Sequence, residues 1–180
     1  MKKAILLGVA ALCMASCGSS SKEDAIQRLP SDQISVFTSS DKQLENAYNW
    51  AKKMALSYAH DNSDPVGYWY EAALPQREAF CMRDVSHQSV GAQILGLARH
   101  NKNMFTRFVE NISEEKDWCT YWEINRYNKP APADYTNDKE FWYNLNANFD
   151  VMQACLKMYQ WTGDAGYLTD PLFTNFMKSL

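Results

Sequence analysis

Side chains able to do chemistry crowd into residues 68–88, where Tyr68, Trp69, Tyr70, Glu71, Arg77, Glu78, Arg83, Asp84, His87 and Gln88 share one short stretch. A loop so rich in ionisable groups costs stability unless each charge finds a partner or water. Function is the usual reason to build one. Carboxylates beside fixed arginine donors and flat aromatic faces suit a hydroxyl-rich ligand, because ring C–H faces stack on aromatics and hydroxyls need charged acceptors. The stretch reads as one wall of a carbohydrate site, with Asp84 at its centre.

The elements that must position these residues read as helices. Ser40 with Gln43 forms a capping-box pattern. Leu44, Ala47, Tyr48, Ala51, Met54, Ala55 and Tyr58 then recur at helical spacing and predict a helix over about 41–60. A second helix is expected over about 86–99, on Val90, Ile94, Leu95 and Ala98, with Gly91 and Gly96 permitting close packing. A third is expected over about 102–112, on Met104, Phe105, Phe108, Val109 and Ile112, joined to the second at His100–Asn101 as an αα-hairpin. Residues 117–141 break the pattern with Pro130, Pro132 and many aromatics, and a loop of ~20 residues is usually functional. Leu145, Phe149, Met152, Cys155, Leu156 and Tyr159 predict a fourth helix ending at Gly163. Asp170 and Pro171 open a fifth, with Leu172, Phe173, Phe176 and Met177 as its apolar face. No strand-type alternation stands out, so the fold class expected is all-α.

The first residues carry a different signal. Met1-Lys2-Lys3, the apolar run Ala4–Leu12 and the small residues before Cys17 form a secretory leader, too short to span a bilayer. Ala15-Ser16-Cys17 resembles a bacterial lipobox, in which the cysteine becomes the lipidated first residue. The organisation expected is a leader over 1–16, a flexible tether over 17–38 and a helical domain over 39–180. The serine-rich run ending Lys22-Glu23-Asp24 is similar to export signals of Bacteroidetes surface lipoproteins, so a lipid-anchored envelope location, at the outer membrane or cell surface, is expected. Losing Lys2 and Lys3 with the leader leaves 16 of the 18 basic residues against 21 acidic ones, a charge of −5. With no basic stripe, nucleic acid is not an expected partner. Cys81, Cys119 and Cys155 show no metal-ligand spacing and no disulfide framework, though one disulfide stays open. No metal and no cofactor is expected, and no phosphate loop or dinucleotide fingerprint occurs.

Arg77-Glu78-Ala79-Phe80-Cys81-Met82-Arg83-Asp84-Val85-Ser86 resembles a segment of six-hairpin glycosidases, enzymes built as (α/α)6 toroids. Asn146-Ala147-Asn148-Phe149-Asp150, running on to Trp161-Thr162-Gly163-Asp164, is similar to a helical hairpin of that class. The resemblance spans about residues 41–180 and implies hydrolysis of O-glycosyl bonds in an oligo- or polysaccharide. About twelve helices make such a toroid; about five are expected here, so the chain reads as part of one, incomplete at the C-terminus.

Glycoside hydrolysis takes two carboxyl groups flanking the scissile bond. Asp84, Glu78 and Glu123 are the candidates. Asp84 has a second reading as an acceptor for sugar hydroxyls beside Arg83. His87, Gln88, Asn146 and Asn148 are candidate hydroxyl contacts, and Trp69, Tyr70, Trp122 and Trp142 candidate stacking faces. Two rival readings stand beside this one. A toroidal polysaccharide lyase would use Arg77, Arg83, His87 and the tyrosines. A non-catalytic, sugar-binding surface lipoprotein needs no acid pair at all.

Overall fold

A computed structural model describes residues 35–74, 76–143 and 145–180. The leader, Cys17 and the tether up to residue 34 lie outside the described residues.

The chain is mostly helical, with three small two-stranded sheets. Helix α1 is Lys42–Leu56; β1 (Ala59–His60) pairs with β2 (Trp69–Tyr70); β3 is Ala79–Cys81. Helices α2 (Met82–Ile94) and α3 (Ala98–Val109) follow, then β4 (Glu123–Asn125), which pairs antiparallel with β3. β5 (Tyr135–Asn137) and β6 (Glu140–Phe141) make the third pair. α4 (Leu145–Thr162), the single turn α5 (Gly166–Thr169) and α6 (Pro171–Ser179) complete the described chain. The strands correct the all-α expectation. Each is only two or three residues long, too short to show alternation in sequence. No described helix is long and apolar enough to cross a membrane.

Several boundaries also differ. The cap of α1 is Asp41, not Ser40: its carboxylate accepts from the backbone N–H of Gln43 and Leu44. α2 begins four residues earlier than expected, so Arg83 and Asp84 lie inside its first turn. The joint to α3 falls at Leu95–Leu97, where Gly96 takes φ +83°, a conformation glycine adopts without a Cβ clash. His100 and Asn101 are therefore helical. α4 does end at Gly163 (φ +70°), whose N–H donates to Tyr159 O at 2.8 Å. α6 opens as expected, with Asp170 accepting from Leu172 N at 3.0 Å ahead of Pro171.

α2 packs along α4, and α3 packs on α6. Two hairpins thus lie side by side, first helix on first helix and second on second. Small residues permit the inner contact: α2 buries Ser86, Ser89 and Ala92, and α4 buries Ala147, Val151 and Ala154. Gly91 does not serve this purpose: a Cβ there would meet nothing within 4 Å. The core between the layers holds Phe80, Met82, Phe105, Phe108, Met158, Tyr167, Phe173 and Phe176, all fully buried. Each such side chain contributes roughly 1.5–3 kcal/mol. Asn101, also fully buried, ties the layers: Oδ1 accepts from Tyr70 Oη at 3.0 Å and Nδ2 donates to Ser89 O at 2.8 Å.

The apolar face expected for α1 is largely exposed, and that expected for α4 is divided. No α1 residue is buried, and Leu44 and Met54 face outward. On α4, Phe149, Leu156 and Tyr159 face outward, while Cys155 is fully buried and Met152 packs against the core as expected. Cys81, Cys119 and Cys155 are free thiols, so no disulfide links them.

Candidate functional site

A cavity of about 430 Å³ opens where β3, β4 and the start of α2 meet, lined by Leu74, Arg77, Cys81, Asp84, Trp122, Glu123, Asp134 and Trp142 among others. The β3–β4 register sets Cys81 opposite Glu123. Cross-strand partners project to one face, and the Cys81 thiol donates to Glu123 Oε2 at 2.9 Å. Arg77 sits in the turn before β3, between Gln76 (φ 72°) and Glu78 (φ 48°). From there Nη1 donates to Glu123 Oε2 at 2.9 Å and reaches Asp134 Oδ2 at 3.4 Å. Trp122 and Trp142 meet edge to face, ring centres 4.6 Å apart. Asp134 O accepts from Trp142 N at 2.8 Å, which ties down the backbone that carries the second ring.

The Glu123 side chain is wholly buried, and its other oxygen, Oε1, has no partner among the described residues. Burying a carboxylate costs several kcal/mol unless its charge is compensated. Arg77 supplies that compensation. Burial, and then the charge of Glu123, push the Asp134 carboxyl above its usual range, against the opposing pull of Arg77. Burial and the Glu123 carboxylate likewise push the Cys81 thiol up, so it stays protonated as a donor. Asp84 is exposed, in the first turn of α2, where the helix dipole favours an anion.

The remaining predicted residues lie elsewhere. Glu78 is exposed and paired with Arg126 at 2.6 Å, clipping the turn to the end of β4. Arg83 turns away from Asp84 toward Asp150 on α4, at 3.6 Å, and His87 lies 3.8 Å from the same carboxylate oxygen. Those separations are ion-pair range rather than hydrogen bonds, which is why Asp150 Oδ2 still lacks a hydrogen-bond donor. His87 and Gln88 line a second cavity, between α1 and α2, with Tyr58, Tyr70 and Glu71.

Two stacking candidates are corrected by burial. Trp69 is fully buried, stacked on His60 at 4.1 Å, with Nε1 donating to Asp64 Oδ2 at 2.8 Å. It offers no face to a sugar. Tyr70 is buried with its hydroxyl spent on Asn101. Asn146 is exposed on the first turn of α4, and Asn148 is buried. Both lie within α4 rather than ahead of it.

The cavity thus unites Asp84, Glu123, Trp122 and Trp142 from the predicted set and adds Asp134 and Cys81. Arg77, considered only for a uronate, joins as the partner of two acids. Asp134 has no local signal, because its partner Arg77 lies 57 residues away in the chain. Chemically, the site offers a charge-compensated buried carboxylate, a second carboxyl raised toward the protonated state, a solvent-facing carboxylate and two aromatic walls. No protein-family model, no curated protein and no solved structure matches this chain.

Proposed function

We propose that the chain belongs to a glycoside hydrolase and that this cavity holds the sugar at the scissile bond. The observation that carries the reading is the convergence of Asp84, Glu123 and Asp134 in one cavity walled by Trp122 and Trp142. Hydrolysis needs a carboxylic acid to protonate the leaving oxygen and a carboxylate to assist attack. Asp134, raised by burial, suits the acid role. Glu123 supplies the carboxylate, and Asp84 accepts hydroxyls at the rim. The two side-by-side hairpins support an (α/α)6 arrangement, in which the outward Phe149, Leu156 and Tyr159 would meet a further hairpin. Lipid anchoring at Cys17 would set the enzyme at the cell envelope, acting on glycan chains there.

A lyase reading is less well supported. It needs an arginine free to hold a uronate carboxylate, yet Arg77 is engaged by Glu123 and Asp134, and Arg83 lies against Asp150.

The test is a panel of aryl glycosides and oligosaccharides, with the wild type beside Glu123→Gln and Asp134→Asn. Removing an acid or base of this kind costs about 10²–10⁴ in rate. Wild-type turnover by both variants would overturn the assignment. Unsaturated products absorbing in the ultraviolet would mark a lyase instead.

A further inference from the structure

Glu123 is held asymmetrically. Both donors that reach it, Arg77 Nη1 and the Cys81 thiol, converge on Oε2 at 2.9 Å each. Oε1 receives nothing from any described residue, although the side chain is completely buried at the cavity wall. Buried polar atoms nearly always find a donor. Of the two oxygens, Oε1 is thus the one not already engaged by a described residue.

We infer that Cys81 is a positioning residue: its thiol and Arg77 lock Oε2, fix the carboxylate plane and leave Oε1 as the oxygen that handles the substrate or the attacking water. This rests on the glycosidase reading of the cavity. The β3–β4 ladder makes the arrangement rigid, because Cys81 and Glu123 are register partners on short paired strands. Cys81 N donates to Ala72 O at 2.7 Å, which holds the backbone that carries the thiol. The thiol stays protonated, pushed up by burial and by the Glu123 carboxylate, so it acts as a donor and not as a nucleophile.

The measurement is the carbon NMR spectrum of the full chain labelled at glutamate carboxyls, taken at a single pH, with Glu123 assigned from the signal lost in Glu123→Gln. Cys81→Val fills the space without a donor and should move the Glu123 carboxyl signal. Cys81→Ser keeps a hydroxyl donor and should leave that signal near wild type. On an aryl glycoside, kcat should fall about tenfold in Cys81→Val, with KM little changed. A merely structural cysteine would lower the melting temperature of Cys81→Val and leave the Glu123 signal where it was; that result overturns the inference. Equal changes in Cys81→Ser and Cys81→Val would overturn it too, since the donor would then be irrelevant. The functional reading fails separately, if Glu123→Gln hydrolyses normally while the Cys81→Val signal still moves.

Discussion

Arg77 and Glu123, 46 residues apart in the chain, meet at 2.9 Å with the glutamate side chain wholly excluded from solvent. Removing the arginine alone would strand a buried carboxylate. Arg77→Met should cost ~3 kcal/mol by urea denaturation, the low end for breaking a buried pair, because Arg77 is itself 33 % exposed. Arg77→Met combined with Glu123→Gln should recover most of that loss. A double variant as unstable as the single one would show that the pair is not coupled.

Asp134 should give the opposite kind of pH signature from an ordinary paired acid. Its folded-state carboxyl is raised, so the folded state binds the proton more tightly than the unfolded state. Stability is therefore lost as pH rises from about 4 through the raised value. Asp134→Asn should be more stable than wild type at neutral pH, with the difference shrinking toward pH 4. Melting temperatures across that range check it; a variant less stable at neutral pH contradicts it.

Asp64 should behave the other way. Burial alone would raise it, but Trp69 Nε1 at 2.8 Å and Arg126 at 2.7 and 3.0 Å outweigh burial, and the carboxyl is lowered. Its contribution is present above the unfolded value of about 4 and lost as pH falls through the lowered one. Asp64→Asn should destabilise by roughly 1.5–3 kcal/mol at pH 7. The variant and wild-type curves should converge in acid. Parallel curves would mean that the charge of Asp64 is not what stabilises the β1–β2 corner.

Asp84 and Trp142 are exposed at the cavity and can be altered with little cost to the fold. Asp84→Asn should cut kcat/KM about tenfold or more, with an unchanged melting temperature. Trp142→Ala should act mainly by raising KM, since stacking is shared by ground and transition states. An Asp84→Asn enzyme with full activity would remove Asp84 from the binding of sugar hydroxyls.

Lipidation at Cys17 is tested by metabolic labelling with a palmitate analogue. Wild type should label and Cys17→Ala should not; equal labelling of the two would remove the anchor from the functional reading.

Local sequence signals suffice to find the buried face of α3, though not its ends, and to place the start of α6. Met104, Phe105, Phe108 and Val109 all point inward, and Asp170 with Pro171 starts α6 where expected. Caps and 3.6-residue periodicity act within one or two turns, so they are written in neighbouring residues. The buried faces of α2 and α4 are hidden for the opposite reason. Ser86, Ser89, Ala92, Ala147 and Ala154 share the buried faces with Met82, Val85, Val151 and Met158, while the equally large Ile94, Phe149 and Leu156 on the same helices stay outside. Side-chain size signals apolarity but not which partner is near. The site divides the same way. Asp84, Glu123, Trp122 and Trp142 stand out by residue type, but the cluster exists only because three-residue strands pair Cys81 with Glu123 and a strained turn delivers Arg77 to two acids. Those contacts close long loops, and their cost is met by packing across the whole fold. Sequence alone thus determined the helices and the kinds of side chain available; the tertiary structure decided which carboxylates share one guanidinium.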